Sequence, residues 1–198
     1  MDYFFYCRDK AGSAAARQQI VEQHWSFMDG FEPDMAARGP TLAGDGTPTG
    51  SMHIVNLPDR AAAEHFAYDE PYAKAGVYDE IFFHRWNNAL GRTMWEFAGD
   101  KDGPKFLMFA TGKPGMTETR HGLLEDHRAY FRDNGYLERF VFRGPLQSDD
   151  GSEWLGSAMA IQLPDRAAVD EMLAGEPYVR AGLYDRVEVH PWRFGGRK

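Results

Sequence analysis

Residues 70–86 read EPYAKAGVYDEIFFHRW, and residues 176–192 read EPYVRAGLYDRVEVHPW. Nine of the seventeen positions are identical, so the chain carries one segment twice, and its organisation follows from that repetition. Within each copy Glu-Pro-Tyr stops or restarts a helix, because proline lacks a backbone donor and disfavours helical geometry in the residue before it. Ala-Gly closes the turn, and the branched and aromatic runs Val77–Trp86 and Leu183–Trp192 read as strands.

Outside this segment the similarity continues in order. Tyr3-Phe4-Phe5-Tyr6 matches Phe106-Leu107-Met108-Phe109, Arg17 and His24 match Arg120 and His127, and Gly39-Pro40 matches Gly144-Pro145. Gly50-Ser51 then matches Gly156-Ser157, and LPDRAA at 57–62 recurs at 163–168. The offset between copies is 103 residues at the start, 105 at Gly-Pro and 106 afterwards, so the insertions fall between these blocks. Ala43–Thr49 and Gln147–Glu153 have the Gly, Pro, Asp and Ser content of turns and are their natural place. Two halves of roughly 95 residues each bury only about 60–65% of their unfolded surface, so the halves are expected to pack intimately.

Each half opens with a buried strand, at 3–7 and 106–110. A helix follows, with Ile20, His24, Phe27, Met28 and Phe31 at spacings of three and four in the first half and Leu123, His127, Tyr130 and Phe131 in the second. Next come Gly-Pro and a hairpin whose second strand is Ser51–Leu57 or Ser157–Leu163. Asp59 and Asp165 are placed to cap a second helix, and the repeated segment closes each half. The order β-α-β-β-α-β is that of a ferredoxin-like domain, so the expected fold class is α+β, two such domains in tandem. The expected boundaries are 1–98 for the first domain, with a C-terminal extension over 87–98, a linker over 99–103, and 104–198 for the second. Within the extension, Thr93–Phe97 reads as an added strand or a clasp across the halves, and Asn87–Phe97 has no sequence counterpart in the second half.

Composition narrows the function classes. With 30 acidic against 22 basic side chains and a net charge of -8, and no aromatic-interleaved basic cluster, nucleic acid and anionic membrane are poor partners. No run approaches the roughly 20 apolar residues of a membrane span, and no signal-like segment opens the chain, so a soluble, cytoplasmic protein is expected. Cys7 is the single cysteine, which leaves no intrachain disulfide and no thiolate cage. The glycines form neither a dinucleotide fingerprint nor a phosphate loop, no histidine pair has metal-ligand spacing, and no Ser-His-Asp or Cys-His set is legible. No cofactor and no metal are therefore expected.

The ordered motifs together resemble the YCII-related family: an opening strand, a helix with a central histidine, Gly-Pro, a Gly-Ser strand, and an acid-Pro-Tyr segment leading through Ala-Gly into a strand that ends in tryptophan. Both halves match over nearly their full length. The resemblance implies a dimeric α+β barrel with sheets face to face, here a pseudo-dimer with both copies in one chain. It also implies an acid-base pair of a first-helix histidine and an aspartate before proline, and one family member is a dehydrochlorinase of a chlorinated hydroxyquinol. Carried over by position, the pairs are His24 with Glu70 and His127 with Glu176, glutamate replacing the usual aspartate in both halves.

A histidine on an apolar helix face beside a carboxylate can be poised near neutral pH, since the carboxylate favours the imidazolium and burial opposes it. The reading is a cofactor-free lyase or isomerase acting on a small organic molecule, aromatic or hydroxylated, with Arg17, Arg120, Tyr72 and Tyr178 as candidate substrate contacts. Tyr78, Tyr184, Trp86 and Trp192 could join such a pocket or fill the core between sheets. His84 and His190 are read as structural or as pocket rim, whereas His53, His65 and His121 lack counterparts. The alternatives are a non-catalytic binding or structural module, whose histidines fix the core, and a cofactor-independent oxygenase on the same barrel. Two fused chains could pair further as a homodimer.

Overall fold

In the computed structural model, which describes residues 1–197, eight antiparallel strands close into a barrel. The first half contributes β1 (Asp2–Asp9), β2 (Met35–Leu42), β3 (Pro48–Asn56) and β4 (Tyr78–Trp86). The second contributes β5 (Lys105–Gly112), β6 (Phe140–Gln147), β7 (Trp154–Gln162) and β8 (Tyr184–Trp192). The strand order around the barrel is β1-β3-β2-β8-β5-β7-β6-β4. Each half thus supplies one four-stranded sheet, and the sheets join at β2 with β8 and at β4 with β6.

Alternation along the strands sorts side chains into two layers, because successive residues point to opposite faces. Phe4 and Tyr6 face inward and join Leu107, Phe109, Trp86 and Trp192 in the barrel core. Tyr3 and Phe5 face outward and pack beneath the helices with Met28 and Phe66. Trp86 and Trp192 therefore belong to the inter-sheet core, and His84 and His190 lie on the same inward registers, paired with Phe4 and Leu107. Neither tryptophan lines the cleft on the helix side of the first sheet.

The helices lie in matched sets: α1 (Ala14–Gln19) with α2 (Val21–Asp29), α3 (Arg60–Asp69) with α4 (Pro71–Lys74), α5 (Thr117–Gly122) with α6 (Leu124–Asp133), and α7 (Arg166–Gly175) with α8 (Pro177–Arg180). The single first helix expected in each half is two, broken at Ile20 and Leu123. The apolar spacing hid the break because the hydrogen bond from His24 N to Ile20 O carries the helical phase across it, as His127 N to Leu123 O does in the second half. Asp59 and Asp165 cap α3 and α7 through Ala62 N and Ala168 N, as expected. Gly-Pro lies inside β2 and β6 rather than ahead of them, at the seam between halves where the missing proline donor is not needed.

The seams are short in strand pairs and are completed by the segments leaving β8 and β4. Arg193 N and Gly195 N donate to Pro40 O and Arg38 O, while Asn87 N and Ala89 N donate to Pro145 O and Arg143 O. Asn87–Leu90 thus has a spatial counterpart in Arg193–Gly196, although the sequences do not match. The backbones approach so closely that a Cβ at Gly39 would lie 2.0 Å from Arg193 O, and one at Gly144 1.9 Å from Asn87 O. Thr93–Phe97 forms no strand; a 3-10 turn over Met94–Glu96 drives Met94 and Phe97 into the barrel core, so the segment clasps the barrel.

Candidate functional site

The repeated Glu-Pro-Tyr segment builds the same device twice. Glu70 ends α3 in extended geometry (ψ 137°), and Pro71 opens the four-residue α4. A helix that short cannot hold itself, so its cap decides the local structure. Glu70 Oε2 accepts from Tyr72 N at 2.6 Å and Ala73 N at 3.1 Å, and Oε1 accepts from Tyr78 Oη–H at 3.1 Å. The carboxylate is 2% exposed and is fixed by its own backbone.

The fourth partner is His24. Its Nδ1 lies 2.6 Å from Glu70 Oε1, and because a carboxylate only accepts, Nδ1 carries the proton and donates. The ring stacks on Tyr72 with centroids 4.1 Å apart and 19° between planes. Burial pushes the His24 pKa below its ordinary value and outweighs the pull of Glu70 in the opposite direction, so the ring is neutral at pH 7 and Nε2 keeps its lone pair. In the second half His127 Nδ1 meets Glu176 Oε1 at 2.6 Å, stacks on Tyr178 at 4.1 Å and 5°, and is likewise lowered by burial. Tyr72 and Tyr178 are buried beneath the rings, and burial pushes both phenols up to about 12.

Around the pairs the halves diverge. Arg17 is clamped by Asp9 at 2.8 Å and by Ser51 Oγ at 2.8 Å, and its guanidinium lies 4.5 Å from the Tyr72 ring centre. Arg120 has neither clamp: Gly112 stands where Asp9 does, Ser157 Oγ accepts from Tyr184 Oη–H instead, and the buried Arg120 Nε has no partner among the described residues. His24 opens on a cleft of about 1090 Å³ between α1, α2, β2, β3, residues 101–103 and the tail that leaves β8. Arg17, Arg38, His53 and Tyr72 line it. His53 has no counterpart in the second half, yet it lies 3% exposed with its ring centre 5.7 Å from that of His24. Its signal was alternation in β3, which puts it on the helix-facing side with Ser51. His65, by contrast, pairs with Asp69 on the exposed face of α3, away from the site.

Among the described residues no group of three or more His, Cys, Asp or Glu is arranged to hold a metal ion, and no helix is long and apolar enough to cross a membrane.

The closed antiparallel barrel with a buried histidine-carboxylate pair beneath each helix layer defines an α+β barrel protein of repeated design. The model of the YCII-related domain matches residues 1–87 and again 105–193, and the chain belongs to that family. An uncharacterised protein of Haemophilus influenzae is 29% identical over 93 residues, covering 44% of this chain and 95% of its own length. Chlorite dismutase from Candidatus Nitrospira defluvii, solved with imidazole, superposes at TM-score 0.60 with 9% identity over 96% of this chain and 90% of that one, a likeness of fold. The 5-chloro-2-hydroxyhydroquinone dehydrochlorinase of Burkholderia phenoliruptrix AC1100, in complex with 2,5-dihydroxybenzoquinone, matches 46% of this chain and 99% of its own at 24% identity and TM-score 0.44.

Proposed function

We propose that the chain is a tandem of two ferredoxin-like halves forming a pseudo-dimeric barrel, and that it is an acid-base enzyme of lyase or isomerase type acting on a small aromatic or hydroxylated molecule. One observation carries the reading: His24, neutral and oriented by Glu70 at 2.6 Å, opens on a cleft large enough for such a substrate. Nε2 takes a proton from a hydroxyl or an acidic carbon. The ring then either returns that proton to another atom of the substrate, an isomerisation, or holds it while an anion leaves, an elimination. Glu70 keeps Nδ1 protonated and stabilises the imidazolium formed in passing, and Tyr72 fixes the plane of the ring. The protein's own groups suffice for these steps.

The test measures chloride release from chlorinated hydroxyquinols and deuterium uptake from D2O by unhalogenated phenols, for the wild type and His24→Ala. General acid-base groups contribute about 10²–10⁴-fold, so the variant should lose that much turnover while circular dichroism shows the fold retained, with a melting temperature lowered by the loss of the buried ring. No reaction of the wild type across the panel, or equal turnover by the folded variant, contradicts the reading. A binding or structural module is favoured by a single feature, the second pair: His127 sits against Tyr178 in a cluster that also takes in Trp154, Leu90 and Met116.

A further inference from the structure

Pairing registers allow each residue around His24 to be matched with its equivalent around His127. His53 lies opposite Phe5 as Met159 lies opposite Met108, Pro48 lies opposite Leu42 as Trp154 lies opposite Gln147, and Arg38 lies opposite His53 as Arg143 lies opposite Met159. The changes in the second half fill space with larger side chains at the expense of polar partners, since Arg120 Nε, Arg143 Nη1 and Trp154 Nε1 are buried there with none among the described residues. Trp154 is 6% exposed and lies 5.6 Å from the ring of Tyr184 and 6.0 Å from that of Tyr178. A Cβ on Gly112 would lie 2.6 Å from the indole, so Trp154 occupies the space beside Gly112 that an acid would need, and Arg120 loses its clamp. Arg143 covers Phe131 and Phe140 at 5.0 and 5.4 Å, where the first half has Met28 and Met35.

In the first half the polar groups instead line an open cleft. The His53 ring makes no hydrogen bond among the described residues, and Arg38, 9% exposed, bonds Asp29 through Nη1 while its buried Nε has no partner. Five cationic side chains, Arg17, Arg38, Lys101, Arg193 and Arg197, line the cleft against one acid, Asp102. Arg17 is neutralised by Asp9, Asp29 is shared by Arg38 and Arg197, and Glu22 also pairs with Arg197. Arg193 and Lys101 form no ion pair among the described residues and supply the cleft with unpaired positive charge in a chain of net charge -8.

We infer that the halves have divided their roles: the first-half cleft is the chain's single ligand site and takes a small organic anion, while the His127–Glu176 pair serves the fold. The inference rests on reading the His24 cleft as the working site. Arg38 and Arg193 provide charge-assisted donors for a carboxylate or phenolate, and His53 presents a second imidazole to the bound molecule beside His24.

Calorimetric titration of the full chain with benzoate, 2,5-dihydroxybenzoate and neutral hydroquinone tests this. The expected result is one equivalent of each carboxylate per chain, hydroquinone at least tenfold weaker, a tenfold or greater loss for the carboxylates alone in Arg38→Met, and loss of all binding in Pro48→Trp, which transplants the second half's tryptophan. If Arg38→Met does not fold, the wild-type ring signals of His24 and His53 should shift on titration while those of His127 do not. Two equivalents per chain, equal affinity for the neutral probe, a His127 shift, or no carboxylate binding at millimolar concentration overturns the inference. The readout is binding, so two-site binding would sink the division of roles while leaving acid-base chemistry intact. Full turnover by His24→Ala would do the reverse.

Discussion

Glu70 serves structure and chemistry with one carboxylate, and the two uses can be separated by substitution. Glu70→Ala removes the cap of α4 and the acceptor for Tyr78 and His24, and should cost about 2–4 kcal/mol of unfolding free energy in a denaturant titration. Glu70→Gln keeps an acceptor for the cap but withdraws the charge that stabilises a protonated His24; it should lower turnover about 10²-fold or more while leaving most of that stability in place. The histidines also set a pH dependence. Burial lowers the pKa of His24, His53 and His127 below the unfolded value of about 6.5, so the unfolded chain binds more protons on acidification. Their contribution is fully present above about pH 6.5 and is lost as pH falls through the folded values, by up to about 1.4 kcal/mol per pH unit for each group. His53→Met, which installs the second half's residue, should flatten the fall in stability between pH 7 and pH 5; an unchanged slope would show that His53 is not held neutral by burial. Apolar periodicity and the Glu-Pro turns placed His24, His127 and the two glutamates on their elements, but their pairing was legible only through the resemblance to the family, which implies a first-helix histidine with an acid before proline. His53 was not legible as a site residue, since it has no equivalent histidine in the second half, and a repeat directs attention to what is shared.

At the scale of elements, the sequence carried the strands and caps to within a few residues. The hairpin reading and turn composition locate β3 and β7, and the Asp caps locate α3 and α7. Each cap bond satisfies one otherwise orphaned helix donor, so Asp59→Ala and Asp165→Ala should each cost about 1 kcal/mol, additively, because the two caps lie in different halves. A much larger loss, or a loss beyond the sum in the double variant, would mean that these helix starts also hold the halves together. The breaks at Ile20 and Leu123 were not legible, because a one-residue departure from helical angles leaves the apolar face continuous. The placement of Gly39-Pro40 within β2 was equally hidden: proline normally marks the end of a strand, and only the seam with the other half makes it tolerable inside one.

For the whole molecule, two copies in one chain close a barrel whose seams depend on close backbone approach. Gly144→Ala would put a methyl group 1.9 Å from Asn87 O and should destabilise by about 1–3 kcal/mol or more, with Gly39→Ala similar; retention of wild-type stability by either would show that the seam can open. Arg8 of β1 reaches Glu188 of β8 at 2.7 Å, a further tie between the halves that no local pattern announces. The repeat itself announced the pairing of halves. How the tail leaving β8 crosses to edge the first-half cleft, and that Trp154 occupies space in the second half where Pro48 leaves the first open, are properties of the closed barrel and not of either half.

The central claim is that His24 is a neutral base with Nδ1–H turned to Glu70 and Nε2 facing an open cleft. Long-range proton-nitrogen NMR of the imidazole rings at pH 7.5, with His24 assigned through His24→Gln, tests it most directly. The account predicts a protonated Nδ1, an unprotonated Nε2 and a titration midpoint below 6.5 for His24. A protonated Nε2, whether as the other tautomer or as an imidazolium at that pH, would contradict it.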